Sequence, residues 1–317
     1  MQTSIEIIKN RSDIGAGTRG ADLGIDAMEI AAINKGSDFF HRYPFVDVQT
    51  RNESVYENDQ HPFAKYIPYI YQQCTEVASV VANTLSQGKF PLVFSGDHSS
   101  AMGTISGIKS VFPEKTLGVV WIDAHADIHS PYTTPSGNMH GMPLGAMLGE
   151  DNMKCRINEL DEETETYWNK LKDLKVAGAK LHAEHLVYFG VRDTEHPEDS
   201  LIKDLGIRNY MVAEVRERGL EHCVKEALEQ LSACDMIYVS FDVDSMDSEL
   251  ISDGTGTPVP RGFFPQEIST LLKNLTDSGK VQCLEVVEVN PLLDSQGNKM
   301  AEVAFDILEK HFEQTTV

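Results

Sequence analysis

In the stretch WIDAHADIHS (121–130), Asp123, His125 and Asp127 occupy every second position after the apolar run LGVVWI. Residues at i, i+2 and i+4 of an extended segment face one side, so carboxylate, imidazole and carboxylate can converge on one point. SFDVDS repeats the spacing with Asp242 and Asp244, and SGDHSS adds His98. Four carboxylates packed together repel one another unless cations neutralise them. Oxygen-rich donors with some imidazole and no thiolate suit manganese or another divalent first-row ion. Two bridging carboxylates would hold two such ions about 3.5–4 Å apart, as in binuclear hydrolases. Each piece alone has a plainer reading: DxD as solvated or capping aspartates, GDHS as a helix N-terminal turn. All three together, each after an apolar run, favour the metal.

The elements that must position these residues are short apolar runs alternating with helix-patterned segments. PLVFSG (91–96), LGVVWID (117–123), HLVYFGV (185–191), MIYVSFDVD (236–244) and VQCLEVVEV (281–289) predict buried strands. Segments 65–88, 99–112, 219–235 and 265–279 carry helical periodicity, and 158–175, acidic then basic, reads as a solvated helix. This alternation predicts an α/β fold: a doubly wound, mostly parallel sheet with helices on both faces. In such a sheet ligands gather beyond the carboxyl ends of the strands. SGDHSS, DAHADIH, DVDSMD and EVNP each follow a predicted strand. No repeat or linker-like break divides residues 1–317, which predicts one domain.

Among the 317 residues, 27 Lys+Arg stand against 49 Asp+Glu, a formal net charge of -22. Besides aiding solubility, that field disfavours nucleic acid and anionic membranes and attracts a cationic small molecule. Five scattered cysteines without CxxC spacing fit neither a disulfide framework nor a structural zinc site, and point to a reducing cytoplasm. The opening MQTSIEIIKN lacks the basic and apolar regions of a secretory signal. No apolar run reaches the roughly 18–20 residues that a membrane span requires.

SGDHSS, DAHADIH, SGNMHGMP, SFDVDSMD, GTGTPV and EVNP, in this order and with the early GAGTRGADLGIDA, resemble the arginase branch of the ureohydrolase family over essentially the whole chain. The resemblance implies a three-layer α/β/α enzyme that hydrolyses L-arginine to L-ornithine and urea with a hydroxide bridging two Mn²⁺ ions. It implies His98, Asp123, Asp127 and Asp242 as ligands of one ion, and His125, Asp123, Asp242 and Asp244 as ligands of the other. Asp127 would also aim the hydroxide. Glu288, in EVNP, would grip the guanidinium with a bidentate fork. His140, in SGNMHGMP, would shuttle protons to the leaving amine or to the water. Thr257, in GTGTPV, would line the guanidinium pocket. The family is often trimeric or hexameric, which implies a homo-oligomer.

The loop HSPYTTPSGNMHG (129–141) bears on the substrate. Thr134, Ser136 and Asn138 match positions that donate to an α-carboxylate; a turn-rich loop bound by its own hydroxyls is the plainer reading. Glu195 and Glu198, in RDTEHPEDS, match acidic positions near the α-amino group. Two positions depart from the pattern. His129 stands where arginases usually carry Asn and contact the carboxylate, and Glu195 where they carry Asp, a methylene's difference worth about 1–3 kcal/mol. Ser95 replaces the first glycine of GGDHS, which is tolerated if the backbone there does not need a positive φ. His41, His61, His182, His185, His196, His222 and His311 lie outside any motif and read as surface or core residues. The competing readings are a ureohydrolase acting on agmatine, guanidinobutyrate or formiminoglutamate, a single-metal relative of the zinc deacetylases, and a non-catalytic homologue. The presence of His140 and Glu288 argues against the last.

Overall fold

The structure, a computed structural model, describes residues 4–314. Eight strands are present: β1 (Ile5–Asn10), β2 (Phe45–Asp47), β3 (Phe90–Ser95), β4 (Leu117–Ile122), β5 (Leu186–Phe189), β6 (Arg208–Tyr210), β7 (Met236–Asp242) and β8 (Val281–Val287). All pair in parallel in one sheet of order β2-β1-β3-β8-β7-β4-β5-β6. The four strands that carry polar motifs (β3, β8, β7 and β4) are consecutive neighbours at its centre. Their carboxyl ends therefore open on one crevice, where a doubly wound sheet places its ligands.

Helices α1 (Gly24–Lys35), α2 (Phe39–Arg42), α3 (Ile67–Ser86), α4 (Ala101–Val111), α5 (Pro143–Leu148), α6 (Glu162–Lys172), α7 (His196–Leu205), α8 (Val212–Arg218), α9 (Leu220–Gln230), α10 (Pro265–Thr276) and α11 (Lys299–Gln314) connect and follow the strands. Period-two alternation sorts each strand between two cores. Val120 and Ile122 of β4 join Val239 and Phe241 of β7 under α1 and α8–α11. Val119 and Trp121 join Tyr238 and Tyr188 on the opposite face, under α3–α6. Because both faces are covered, β4 and β7 are buried along their whole length, which is why they read as unbroken apolar runs.

The five predicted strands and four periodic helices are present, their ends shifted by up to a few residues. Segment 158–175 contains α6, whose outer face is solvated as expected, while Trp168 and Leu171 are fully buried against its neighbours. Strands β1, β2 and β6 were not anticipated. The last two have three residues each, and β1 (IEIIKN) buries Glu6, Lys9 and Asn10, breaking the apolar run.

Candidate functional site

The strand ends share a local device. After β3, Asp97 Oδ1 accepts the backbone N–H of Ser99 at 2.8 Å. After β4, Asp123 Oδ1 accepts that of His125 at 2.7 Å. At the end of β7, Asp242 Oδ1 accepts that of Asp244 at 2.8 Å. One oxygen of each aspartate thus closes a tight turn, and the second is left for other work. The capping reading holds for one oxygen of each, and the second oxygen of Asp123 and of Asp242 is left facing His98. The convergence does not arise from strand alternation as the spacing suggested. Strand β4 stops at Ile122, the chain bends through 123–125, and Asp127 takes a left-handed backbone with φ 49°. That conformation strains a residue with a Cβ and is characteristic of functional positions.

The result is a tight cluster. His98 Nδ1 lies 3.1 Å from Asp123 Oδ2, 2.9 Å from Asp127 Oδ2 and 3.1 Å from Asp242 Oδ2. His98 Nε2 lies 2.7 Å from Ser240 Oγ, and its ring stacks on Trp121 at 4.0 Å and 5°. Trp121 and Ser240 are register partners across β4 and β7, so the sheet itself sets the imidazole. His125 Nδ1 lies 2.9 Å from Asp244 Oδ2 and 3.6 Å from Asp123 Oδ1. Two overlapping donor groups follow, His98–Asp123–Asp127 and Asp123–His125–Asp244, each with its ligand atoms within 4.8 Å of one another. Asp242 joins the first through His98.

Electrostatics decides what such a cluster holds. Two carboxylates at that spacing repel by roughly 3 kcal/mol at an effective dielectric of 20, and all four aspartates are buried. Burial, together with the charge of Asp123, pushes the Asp127 carboxyl up to about 7. Burial and the charges of Asp244 and Asp123 push Asp242 well above the carboxylate range. Burial would lower the His98 imidazole, but the three aspartates crowded around Nδ1 hold it well above the ordinary value. Protons alone therefore neutralise the cluster only by occupying the donor atoms. His98 Nδ1 and Asp123 Oδ2 are fully buried and lack any partner in hydrogen-bond geometry. A cluster of four carboxylates and two imidazoles that leaves these two atoms orphaned fits divalent cations.

Beside the cluster, Glu288 follows β8 with φ 66° and is 2 % exposed, not the solvated strand end that its position allowed. Its Oε1 accepts the backbone N–H of His98 at 3.0 Å and lies 3.1 Å from His140 Nδ1. Its Oε2 is buried without a partner. Burial would lower the His140 ring, but the bond to Glu288 and the charges of Glu288, Asp127 and Asp97 raise it to about 9. Thr257 Oγ1 donates to Asp244 Oδ2 at 3.2 Å.

A cavity of about 250 Å³ stands over this floor, lined by His125, Asp127, His140, Asp242, Asp244, Thr257 and Glu288 below, and by His129, Thr134, Ser136, Asn138, Glu195 and Glu198 at its mouth. His98 and Asp123 lie beneath it, at most 1 % exposed. The mouth is already knitted together. Thr134 Oγ1 accepts the N–H of Gly137 at 3.0 Å, and Ser136 Oγ that of Asn138 at 3.2 Å, as the turn reading expects. Glu195 and Glu198 form a capping box on α7. His129 Nε2 lies 2.5 Å from Glu195 Oε2.

Four residues escaped the sequence reading. Asp193 lines the mouth and lies 3.6 Å from His125 Nε2; its spacing of two from Glu195 was the available signal. Lys65 Nζ donates to Asn138 Oδ1 at 2.9 Å, a contact across 73 residues that no local pattern announces. Arg192 donates to the carbonyls of Asp244 at 3.0 Å and Val259 at 2.9 Å, clamping the loop that carries Asp244. Glu285 is buried under the site, accepting Ser95 Oγ, Ser100 Oγ and Tyr238 Oη at 2.7–2.8 Å. Ser95 has no positive φ, as its replacement of glycine required. The early GAGTRG packs on the same floor, with the N–H of Gly15 on Asp97 Oδ2 at 3.0 Å and its carbonyl on the N–H of His140 at 3.1 Å.

With this geometry in place, comparison with known proteins is direct. The model of the family described as Arginase family matches residues 4–312. The chain is 32% identical over 311 residues to the arginase of Bacillus subtilis, covering 98% of this chain and 97% of that one. It is 32% identical over 324 residues to the arginase of Brevibacillus brevis, covering 98% of each. The crystal structure of arginase from Bacillus caldovelox superposes with a TM-score of 0.81 at 30% identity, covering 98% of both chains.

Proposed function

The chain belongs to the arginase family, and from that membership and the site's geometry we propose that it hydrolyses L-arginine to L-ornithine and urea using two Mn²⁺ ions. One ion would be held by His98, Asp123, Asp127 and Asp242, the other by His125, Asp123, Asp242 and Asp244. When bound, a pair of divalent ions neutralises the four carboxylates and lowers the pKa of water at the site.

The protein's own groups do the rest. The observation that carries the reading is Glu288. One of its oxygens is fixed by the His98 backbone and His140, and the other is left buried and unpartnered beside a pocket with carboxylates for its floor. A guanidinium satisfies that oxygen and places its carbon above Asp127. Asp127 accepts a hydrogen bond from the attacking water and aims it. As the new C–O bond forms and the bond from the carbon to Nε breaks, the leaving amine takes one proton from His140, whose Nδ1 is held by Glu288. The attacking water's two protons pass to the amine, which leaves as an ammonium, and to His140, which is restored. Thr134, Ser136 and Asn138 receive the α-carboxylate, and Glu195 and Glu198 the α-ammonium.

One observation favours a second substrate. Among the described residues no Lys or Arg lines the pocket, so a guanidino compound without a carboxylate, such as agmatine, loses less here than in a mouth with a direct cation. A single domain, a homo-oligomeric assembly and a cytoplasmic location belong to the same proposal. One continuous sheet supports the first. Five free cysteines, and no helix among the described residues long and apolar enough to cross a membrane, are consistent with the last. The test is product release by manganese-loaded protein from arginine, agmatine, guanidinobutyrate and formiminoglutamate, reading formamide for the last. A preference for agmatine above about tenfold, or roughly 1.4 kcal/mol, overturns the substrate; no release from any of them overturns the enzyme.

A further inference from the structure

Outside the floor, one more group of metal-ligating side chains gathers among the described residues: His129, Glu195 and Glu198, their ligand atoms within 4.8 Å of one another. His129 Nε2 lies 2.5 Å from Glu195 Oε2 and 3.7 Å from Glu198 Oε2. The imidazole is 6 % exposed and Glu198 5 %. Both are held from behind. His129 Nδ1 lies 3.0 Å from Thr133 Oγ1, a hydroxyl that accepts the N–H of Ser130 at 3.1 Å and can donate to the Ser130 carbonyl. With that hydroxyl proton on the carbonyl, Thr133 Oγ1 can accept the ring hydrogen at Nδ1, the tautomer that a metal ion at Nε2 would require. Glu198 is fixed through Oε2 by the N–H of Glu195 at 3.1 Å, and through Oε1 by that of Ile128 at 3.4 Å.

At 2.5 Å, Nε2 and Oε2 share a hydrogen, and a metal ion bound by both atoms would take its place, with the ring hydrogen on Nδ1 facing Thr133. The wider charge points the same way: Asp193, Glu195 and Glu198 share the mouth, and no Lys or Arg lines it. One imidazole and two carboxylates, with an open position toward the cavity, form a three-ligand set suited to Zn²⁺ or a similar borderline ion.

We propose that His129, Glu195 and Glu198 form a third divalent-cation site, separate from the floor, which takes Zn²⁺ and excludes the substrate's amino end while occupied. The site itself stands on this chain's His129 and its two glutamates; only the competition with substrate rests on the proposed arginine reaction. His129, by supplying the nitrogen ligand, makes the mouth a chelator as well as a receptor for an ammonium group.

The experiment is equilibrium dialysis of Zn²⁺ against manganese-loaded protein, with both metals counted by elemental analysis. The expected result is one zinc per chain with manganese retained, and zinc affinity reduced at least about tenfold in His129→Asn and in Glu195→Gln. Glu195 is exposed, so the second variant does not hinge on core packing. Zinc that binds only by displacing manganese, or that binds both variants as tightly as the parent, overturns the site. In kinetics, zinc is expected to raise KM for arginine with kcat unchanged in the parent and to lose that effect in the variants. A fall in kcat alone overturns the exclusion of substrate. Failure of the arginine reaction would appear as absent urea with the zinc count intact, so the two ideas fail separately.

Discussion

The floor and the mouth of the pocket are both built from acidic and imidazole side chains, yet they are held in opposite ways. On the floor, His98 Nδ1, Asp123 Oδ2 and Glu288 Oε2 are buried without a partner in hydrogen-bond geometry. At the mouth, the hydroxyls of Thr134 and Ser136, the glutamates and His129 already bond to the loop or to one another. A floor with orphaned donors demands its ligands, because each unsatisfied buried group costs about 1–3 kcal/mol. A mouth that is satisfied without ligand gains only the difference between two sets of bonds. Chemistry is therefore fixed in the floor, and selectivity at the mouth is a competition that small changes can tip.

The sharpest way to break this contrast is at the floor. Asp127→Asn and Asp242→Asn are each expected to lower metal content and to reduce urea release roughly a thousandfold or more; either variant retaining two ions and its rate would remove the floor's special status. Glu288→Ala is expected to keep both ions while kcat/KM falls by about 10²–10⁴, the loss of a charge-assisted hydrogen bond and of the buried charge that pairs with the guanidinium. Loss of metal in that variant would mean that Glu288 had been given the wrong task. His140→Asn is expected to lower kcat by about a hundredfold with manganese content unaltered, and an unchanged rate excludes the proton role. At the mouth, Lys65→Met is expected to raise KM about tenfold with little change in kcat, since it removes one charge-assisted bond that orients Asn138. If kcat drops as far as KM rises, the mouth does more than bind. The smallest effects separate the regions by packing alone. A Cβ at Gly96 would meet the Ser12 carbonyl oxygen at 2.3 Å, whereas one at Gly141 meets nothing within 4 Å. Gly96→Ala is expected to destabilise by about 1–3 kcal/mol and Gly141→Ala by less than about 0.5 kcal/mol, read from denaturant midpoints.

The same contrast explains what could be read from the sequence. The floor's residues follow central strands buried on both faces, so an apolar run announces each one and the motif comes directly after it. The clustering of His98, Asp123, His125, Asp127, Asp242 and Asp244 was legible for that reason. The path of the backbone was not: period-two spacing suggested a common strand face, while the structure uses a left-handed Asp127 and aspartate-closed turns. Edge strands β2 and β6 offer three residues each, too few for any periodicity. Lys65 and Arg192 act through contacts far apart in sequence, and Asp193 lay inside a quoted segment but was passed over for its longer neighbours. His129 was legible as a departure, but its contact with Glu195 needed two loops to be brought face to face.

The turns closed by Asp97, Asp123 and Asp242 carry one last implication. Since each aspartate spends one oxygen on the backbone two residues ahead, the polypeptide itself, and not a bound ion, shapes the proposed metal scaffold. Stripping the metals with a chelator should then leave a folded receptacle, and adding them back should restore activity at the pace of ion entry, with no refolding lag.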